Sequence, residues 1–404
     1  MTYKILSLDG GGTWALIQAK VLIDLFGGDT KGKEILGDFD LVAANSGGAL
    51  VAAGLIADMT PAAILALFLD QQIRRNIFEE LPFYKRLLRI IGVGPQFSTE
   101  GKLQGLSQAL AVLGSGALQN LHIPNKKNED IRFLITAYDY DRDRVVFFRS
   151  DPASPASNFP RSGSTTSIVN SVYASSTAPV QYFDKPAEFG DKRYWDGGVS
   201  GFNNPVLAAT LEAIAYGVPR EEIRILSIGT GNTFLPVGGP TTDPVLVQQR
   251  YKQCLVSDVK KLATAVVADP PDTDTFITHV MLTGKDQLPA DQNAMPLSNT
   301  PVIRMNPLIR PQISDNQWDL PNGCSGRDFE RLAEMDLAVI DQSDVDLIKS
   351  FCDGWMTGHW INQPVRHGAD LTTGGTPNPY FCEIGFPKYV SARAALASWL
   401  SFPS

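Results

Sequence analysis

Apolar and polar positions follow one repeated pattern in the first part of the chain. Residues 5–8 form a short aliphatic run, and residues 14–26, which follow a glycine-rich turn, are good helix formers. The same order returns at residues 39–44, which predict a buried strand, and residues 49–56, which predict an apolar helix. Two successive units of strand, loop and helix predict a parallel sheet covered by helices.

Later parts of the chain predict three more strands, at residues 131–138, 145–149 and 224–228. The sheet is therefore expected to extend to about residue 230. Beyond it the sequence is rich in proline and glycine, and residues 328–351 then carry apolar side chains at helical spacing. We interpret this tail as a helical cap on the same domain.

The composition is that of a folded, acidic protein. The 404 residues, of which 44% are hydrophobic and 19% charged, are enough to bury a large core. The formal net charge of −8 argues against nucleic acid as a partner, because phosphate contacts need clustered Lys and Arg. The four cysteines form no CxxC pair and have no histidine at metal-ligand spacing, so we expect no metal site and no disulfide framework.

The sequence also bears on location. The first residues contain no basic segment followed by an apolar signal core, which predicts a cytoplasmic protein. The longest uncharged run, residues 41–57, is at the lower length limit for crossing a bilayer and contains three glycines. We interpret this run as a buried strand, a turn and a helix.

Ser46 occupies the turn between the second predicted strand and its helix, within the sequence Ala-Asn-Ser-Gly-Gly. This arrangement is typical of a nucleophile elbow, in which small neighbours permit a cramped backbone and leave the serine oxygen accessible. The N–H groups of a helix that begins there would also face negative charge on a substrate. An unreactive small-residue helix cap would show the same local pattern.

Two further glycine-centred sites accompany the elbow. The run Gly10, Gly11 and Gly12 exposes consecutive backbone N–H groups that can bind an oxyanion or a phosphate. Asp196, which two glycines follow, can project from a strand end without crowding. Each could be a plain turn, but their joint occurrence on a parallel-sheet pattern favours a functional site.

The combination resembles the patatin-like phospholipases. That family's Asp-Gly-Gly-Gly, serine elbow and Asp-Gly-Gly motifs correspond to residues 9–12, 44–48 and 196–198. Residues 174–179 and 226–231 are similar to two weaker family segments, and all five occur in the family's order. The resemblance implies an α/β three-layer sandwich with a mostly parallel central sheet, carried by a catalytic domain and followed by a C-terminal helical cap packed on it. We place the domain at residues 1–310 and the cap at 311–404.

The resemblance also implies a lipid acyl hydrolase that needs no cofactor. Asp196 would accept the proton of Ser46, which attacks an ester carbonyl, while the N–H groups of Gly10, Gly11 and Gly12 hold the oxyanion. A carboxylate is a weak base for a hydroxyl, so we expect a partly dehydrated site that raises its basicity. Some bacterial members of the family are switched on by a nucleotide second messenger, for example in antiphage defence, or by a host cofactor, so the resemblance allows a small-molecule activator.

The chain departs from the family pattern at two places. Ala44 replaces the first glycine of the elbow, a small change that leaves room for the turn. Thr13, Trp14 and Ala15 follow the glycine run, where the family often has Arg-Gly. This removes a positive charge, and we expect oxyanion binding to rest on backbone donors alone.

The strongest alternative is an ATPase related to the sugar and acetate kinases, because residues 8–13 also match the phosphate loop of that class. In those enzymes the loop turns back into a second strand, whereas residues 15–25 predict a helix. The ATPase interpretation also leaves Ser46 and Asp196 without a role.

A second alternative is a non-catalytic module that binds lipid surfaces. Residues 74–91 mix basic and apolar side chains as an interfacial helix does, although an ordinary helix docked on the sheet would look similar. If the segment is interfacial, we expect peripheral membrane association, in an enzyme as in a module, through five basic residues, Arg74, Arg75, Lys85, Arg86 and Arg89.

Overall fold

The structure is a computed structural model that describes residues 2–82, 94–150, 164–236, 245–248, 270–283, 300–314, 317–363, 365–366 and 383–401, with the single positions 258, 261 and 265. The strands are β1 (Tyr3–Leu8), β2 (Leu41–Ala44), β3 (Arg132–Asp139), β4 (Arg144–Arg149), β5 (Ala187–Phe189), β6 (Lys192–Asp196), β7 (Ile223–Ile228), β8 (Asn232–Thr233), β9 (Val302–Met305), β10 (Pro307–Ile309), β11 (Gln312–Ser314), β12 (Gln317–Asp319), β13 (Ile361–Asn362), β14 (Val365–Arg366) and β15 (Glu383–Ile384). The helices are α1 (Leu16–Phe26), α2 (Gly32–Leu36), α3 (Ser46–Ile56), α4 (Pro61–Leu69), α5 (Gln71–Ile77), α6 (Thr99–Ala109), α7 (Ile168–Ser176), α8 (Val206–Ala215), α9 (Pro270–Thr283), α10 (Gly326–Glu334), α11 (Gln342–Met356) and α12 (Tyr389–Leu396). Short 3-10 helices span Gly12–Ala15, Ala111–Leu113, Leu118–Asn120, Gly197–Ser200 and Arg220–Glu222.

The central sheet has the strand order β5-β6-β3-β2-β1-β7-β9, and β4 also pairs with β3. Strands β1, β2, β3, β7 and β9 run parallel, while β4, β5 and β6 join antiparallel. The prediction of a mostly parallel sheet built from strand-loop-helix units is confirmed. The predicted end of the sheet near residue 230 is wrong, because β9 adds an edge strand. This strand follows Pro301 and contains Arg304, so its sequence lacks the apolar run that marks a buried strand.

Side chains alternate between the two faces of this sheet, as the two-residue period of a strand requires. Ile5 and Ile225 lie on one face, in a buried cluster with Ala209 of α8. Leu6 and Leu226 lie on the other face, in a larger buried cluster that includes α1, α3, α7 and α11. The result is the expected α/β three-layer sandwich. None of the described helices is both long and apolar enough to cross a bilayer.

The predicted helix at residues 328–351 is two helices, α10 and α11, with residues 335–341 between them. Carbonyl groups of this intervening segment are bound elsewhere: Leu337 O accepts from Thr13 N–H, and Ile340 O accepts from the guanidinium of Arg74. A continuous helix would need those carbonyls internally, so tertiary hydrogen bonds override the periodicity. Strand β10 ends just before residue 310 and pairs with β8, which precedes it in the chain, and with β13, which follows it. The domain boundary placed at residue 310 stays a prediction.

A buried ion pair joins the end of β1 to the edge strand. Arg304 donates to both oxygens of Asp9, at 2.8 and 2.5 Å, and to the hydroxyl of Ser227 at 2.9 Å. Burial raises the pKa of Asp9, while the charge and hydrogen bonds of Arg304 oppose that rise. Because Asp9 directly precedes the glycine run, its ion pair with Arg304 anchors the start of that loop.

Replacement of Arg304 by Met should lower the free energy of unfolding by about 3–5 kcal/mol, because it leaves the buried Asp9 carboxylate unpaired. Urea denaturation followed by circular dichroism measures the loss. The matched control is Arg331→Met, which removes the exposed ion pair with Asp344 and should change stability by about 1 kcal/mol or less. Equal losses in both variants would contradict the assigned role of Arg304.

Candidate active site

Ser46 lies where β2 turns sharply into α3. Its φ of 49° falls in the left-handed region, which is strained for any residue but glycine and is the backbone of a nucleophile elbow. The elbow packs directly on the glycine run: a Cβ on Gly47 would lie 2.6 Å from the carbonyl oxygen of Gly12. Glycine at this position therefore permits the close approach that places the serine beside the loop.

Asp196 ends β6, whose antiparallel pairing with β3 sets Asp196 opposite Ala137. Its buried carboxylate lies beside the Ser46 hydroxyl, which lowers the pKa of that carboxyl, and both residues line one pocket. The Oδ1 atom also accepts from the backbone N–H of Gly198 at 2.8 Å and from Nδ2 of Asn45 at 3.1 Å. The structure thus brings together Ser46 and Asp196, which lie 150 positions apart in sequence.

Burial raises the pKa of Asp196, against the combined effect of its hydrogen bonds and of the positive charge on Lys102. A carboxyl group with a raised pKa is a stronger base when ionised, so burial makes Asp196 more basic than an aspartate in water.

Asn45 organises the polar groups around this pair, a role that the sequence did not reveal. The amide is completely buried, and its Oδ1 accepts from the hydroxyl of Thr136 at 2.7 Å and of Ser175 at 3.3 Å. The oxygen of Ser175 in turn accepts the backbone N–H of Ser46 at 2.9 Å. Asn45 stands inside the elbow motif and Ser175 inside the segment 174–179, so the motifs contained both residues but not their function.

The glycine run contributes fewer free donors than expected. The N–H of Gly10 donates to the carbonyl of Asn203 at 2.8 Å, so its assignment to the oxyanion hole is wrong. The N–H groups of Gly11 and Gly12 have no hydrogen-bond partner in the described part of the chain. Thr230 holds the loop in place, since its hydroxyl donates to the carbonyl of Gly10 at 2.6 Å.

A pocket that is partly open to solvent extends from Ser46 and Asp196, with an empty volume of about 700 Å³ that includes this open space. Its wall is mainly apolar, with Leu50, Phe68 and Phe78 among the side chains that line it. A mainly apolar pocket beside a serine hydroxyl suits an acyl chain whose ester carbonyl lies near that serine.

Residues 335–341, which we call the C-terminal bridge, close one side of this cavity. The N–H of Thr13 donates to the carbonyl of Leu337 and its hydroxyl to the carbonyl of Val339, both at 3.0 Å. The indole N–H of Trp14 donates to the carbonyl of Asp336 at 2.9 Å. The residues that replace the family's Arg-Gly therefore anchor the C-terminal bridge, and Leu337 lines the cavity.

A sequence profile of the patatin-like phospholipases matches residues 6–210, which include the glycine run, the elbow and Asp196. The chain belongs to the patatin-like phospholipase family. Over 246 residues it is 31% identical to a cGAMP-activated phospholipase of Pseudomonas aeruginosa (strain BWHPSA011 / Pa011). The matched residues make up 60% of this chain and 67% of that protein. The crystal structure of VipD from Legionella pneumophila also matches, at 11% identity and a TM-score of 0.31. The match covers 87% of this chain and 67% of that one, and it is too weak to carry an argument.

This patatin-like phospholipase is a lipid hydrolase, as the sequence predicted, and the alternative of a kinase-like ATPase is not favoured. The family profile ends before Thr230, Arg304 and the C-terminal bridge. Those parts of the site lie outside the residues that the family profile matches.

Arg74 does not fit its predicted role as a membrane-binding residue. It is 2% exposed, and its guanidinium donates to the carbonyls of Phe68 and Ile340. These contacts hold α5 against the C-terminal bridge and keep the guanidinium away from the protein surface. Arg75 is exposed, whereas the other three candidates lie outside the described residues, namely Lys85, Arg86 and Arg89.

Replacement of Asn45 by Ala should lower kcat for a soluble ester by about 10–100-fold with little change in KM. The reason is that two buried hydroxyls lose their acceptor and Asp196 loses a donor, at a cost of about 1–3 kcal/mol. Asn45→Asp should be more damaging, because a second carboxylate would stand beside the first. Steady-state kinetics of both variants would contradict this account if kcat stayed at the wild-type value.

Proposed function

We propose that this chain hydrolyses the carboxylic esters of phospholipids or related lipids through Ser46 and Asp196. The observation that carries the proposal is that the Ser46 hydroxyl and the buried Asp196 carboxylate lie side by side in a mainly apolar pocket. No histidine lines that cavity among the described residues, which supports a two-residue mechanism.

In the first half of the reaction, the Ser46 oxygen attacks the ester carbonyl carbon and its proton passes to Asp196. Negative charge on the former carbonyl oxygen faces the N–H groups of Gly11 and Gly12 and the first turn of α3. The bond to the leaving alcohol then breaks, and Asp196 returns the proton to that alcohol. In the second half, water attacks the acyl carbonyl carbon while Asp196 accepts its proton. The bond to the Ser46 oxygen then breaks, Asp196 returns the proton to that oxygen, and the fatty acid leaves.

A phospholipid substrate places this work at a membrane surface, and we propose that the cytoplasmic enzyme associates there peripherally. A small-molecule activator is part of the same proposal, supported by the name of the related Pseudomonas aeruginosa protein. In that form the enzyme would serve antiviral defence by degrading membrane lipid only on demand. The C-terminal bridge offers a physical link for such control, because it binds the glycine run and also lines the cavity.

Ser46→Ala and Asp196→Asn should each lower hydrolysis of defined phospholipid vesicles by about 10³-fold or more, and the double variant should be no worse than the single ones. The matched control is Asp191→Asn, an exposed residue on the same β5–β6 hairpin, which should keep wild-type activity. Thermal unfolding monitors the fold of each variant. Turnover near that of the wild type in either active-site variant would sink the proposed dyad.

The activator is tested by measuring vesicle hydrolysis with and without cGAMP. We expect the rate to rise about tenfold or more, a coupling within the ordinary range for allosteric effectors. An active enzyme whose rate is unchanged at saturating cGAMP would show that this chain does not respond to the ligand of its relative.

A further inference from the structure

Lys102 is a lysine in a place where lysines are rarely found. It lies on α6 and is among the largest side chains in the protein that are fully buried. Lysine is seldom buried completely unless a carboxylate pairs with it, because its ammonium group is costly to remove from water. Here the ammonium donates to the carbonyl of Ser176 and lies 4.1 Å from the centre of the Phe183 ring.

The position of Lys102 relates it directly to the catalytic pair. Three consecutive residues contact these three groups. The hydroxyl of Ser175 accepts a hydrogen bond from the backbone N–H of Ser46. The carbonyl of Ser176 accepts one from the ammonium of Lys102, and the carbonyl of Thr177 accepts one from the backbone N–H of Asp196. Lys102, Ser46 and Asp196 also line the same cavity. One short stretch of backbone thus fixes the lysine relative to both.

The charges of Lys102 and Asp196 support each other. Burial lowers the pKa of Lys102 to about 7, and the negative charge of Asp196 opposes that shift. Burial likewise raises the pKa of Asp196, and the charge of Lys102 is among the effects that oppose the rise. Each group therefore favours the charged form of the other in a site that water does not screen.

We propose that Lys102 is a positioning residue whose buried ammonium keeps the Asp196 carboxylate ionised and so able to accept the proton of Ser46. The inference rests on the proposed function and adds an electrostatic partner to the dyad. It also gives the cavity a positive charge on a different element from the glycine run, where the family's arginine is replaced by Thr13 and Trp14.

Other titratable groups near Lys102 are already bound in different contacts. In the cavity, the guanidinium of Arg74 is held by carbonyls, and the hydroxyl of Tyr182 donates to Asp336. Around α6, Glu100 pairs with Lys185 at the exposed surface, and Asp184 accepts hydrogen bonds from Thr99. These contacts leave Lys102 as the positive group that acts on Asp196 in the proposal.

The test compares pH profiles of kcat/KM for a soluble ester in the wild type and in Lys102→Met, which has similar volume and no charge. Without the ammonium, the acid limb should move to higher pH by about one unit or more, with about a tenfold loss of kcat/KM below the new limb. The two profiles should converge above about pH 9, because the wild-type lysine has by then lost its own charge. Thermal stability should be unchanged or higher, since an apolar side chain replaces a buried charge.

Two further variants separate charge from packing. Lys102→Arg keeps the charge and, where it folds, should keep the wild-type acid limb. Lys185→Met removes a lysine at the nearby surface and should leave the profile unchanged. An acid limb of Lys102→Met that superimposes on the wild type, a pH-independent loss, or a folded Lys102→Arg that behaves like Lys102→Met would each overturn the proposal. Ser46→Ala in the same assay separates the outcomes, because retained activity there defeats the proposed function itself.

Discussion

Burial of the Asp196 carboxylate beside the Ser46 hydroxyl sets the requirements that the rest of the structure meets. In the proposed mechanism Asp196 activates an alcohol, and a carboxylate in water is too weak a base for that, so the mechanism requires a site from which water is largely excluded. Exclusion of water in turn makes every unpaired polar group expensive. The hydrogen bonds that Asp196 accepts from Gly198 and Asn45 are the consequence.

The parallel sheet supplies this environment by bringing distant segments to one edge. The glycine run follows β1, the elbow follows β2 and Thr230 follows β7, so three neighbouring strands deliver their loops to the same place. Arg304 on β9 holds Asp9 just before the glycine run, and the C-terminal bridge binds Thr13 just after it. The C-terminal region is consequently part of the site, because it forms one wall of the cavity.

Local patterns were sufficient to predict the sheet, the elbow and the motifs, because each depends on residues close together in the chain. The contacts that complete the site join residues far apart, such as Asp9 and Arg304, which are separated by 295 positions. The local patterns also failed for two charged residues. Arg74 was predicted to lie at the surface and is buried, and Lys102, on a helix of mainly polar residues, is buried although no pattern singled it out. Hydrogen-bond use was equally invisible, since nothing in a glycine run shows that Gly10 donates to Asn203 while Gly11 and Gly12 stay free. Tertiary packing decides each of these features.

The most direct test of the account is the rate at which a fluorophosphonate probe modifies Ser46, measured as a function of pH. We expect labelling at Ser46 alone, with a rate that falls as the pH drops through a midpoint above about 3.9, the ordinary value for aspartate, because the base must be ionised. Asp196→Asn should label slowly at every pH and should lack that midpoint. Rapid labelling of Asp196→Asn with the wild-type pH dependence, or labelling at another residue, would contradict the claim that a buried aspartate activates this serine.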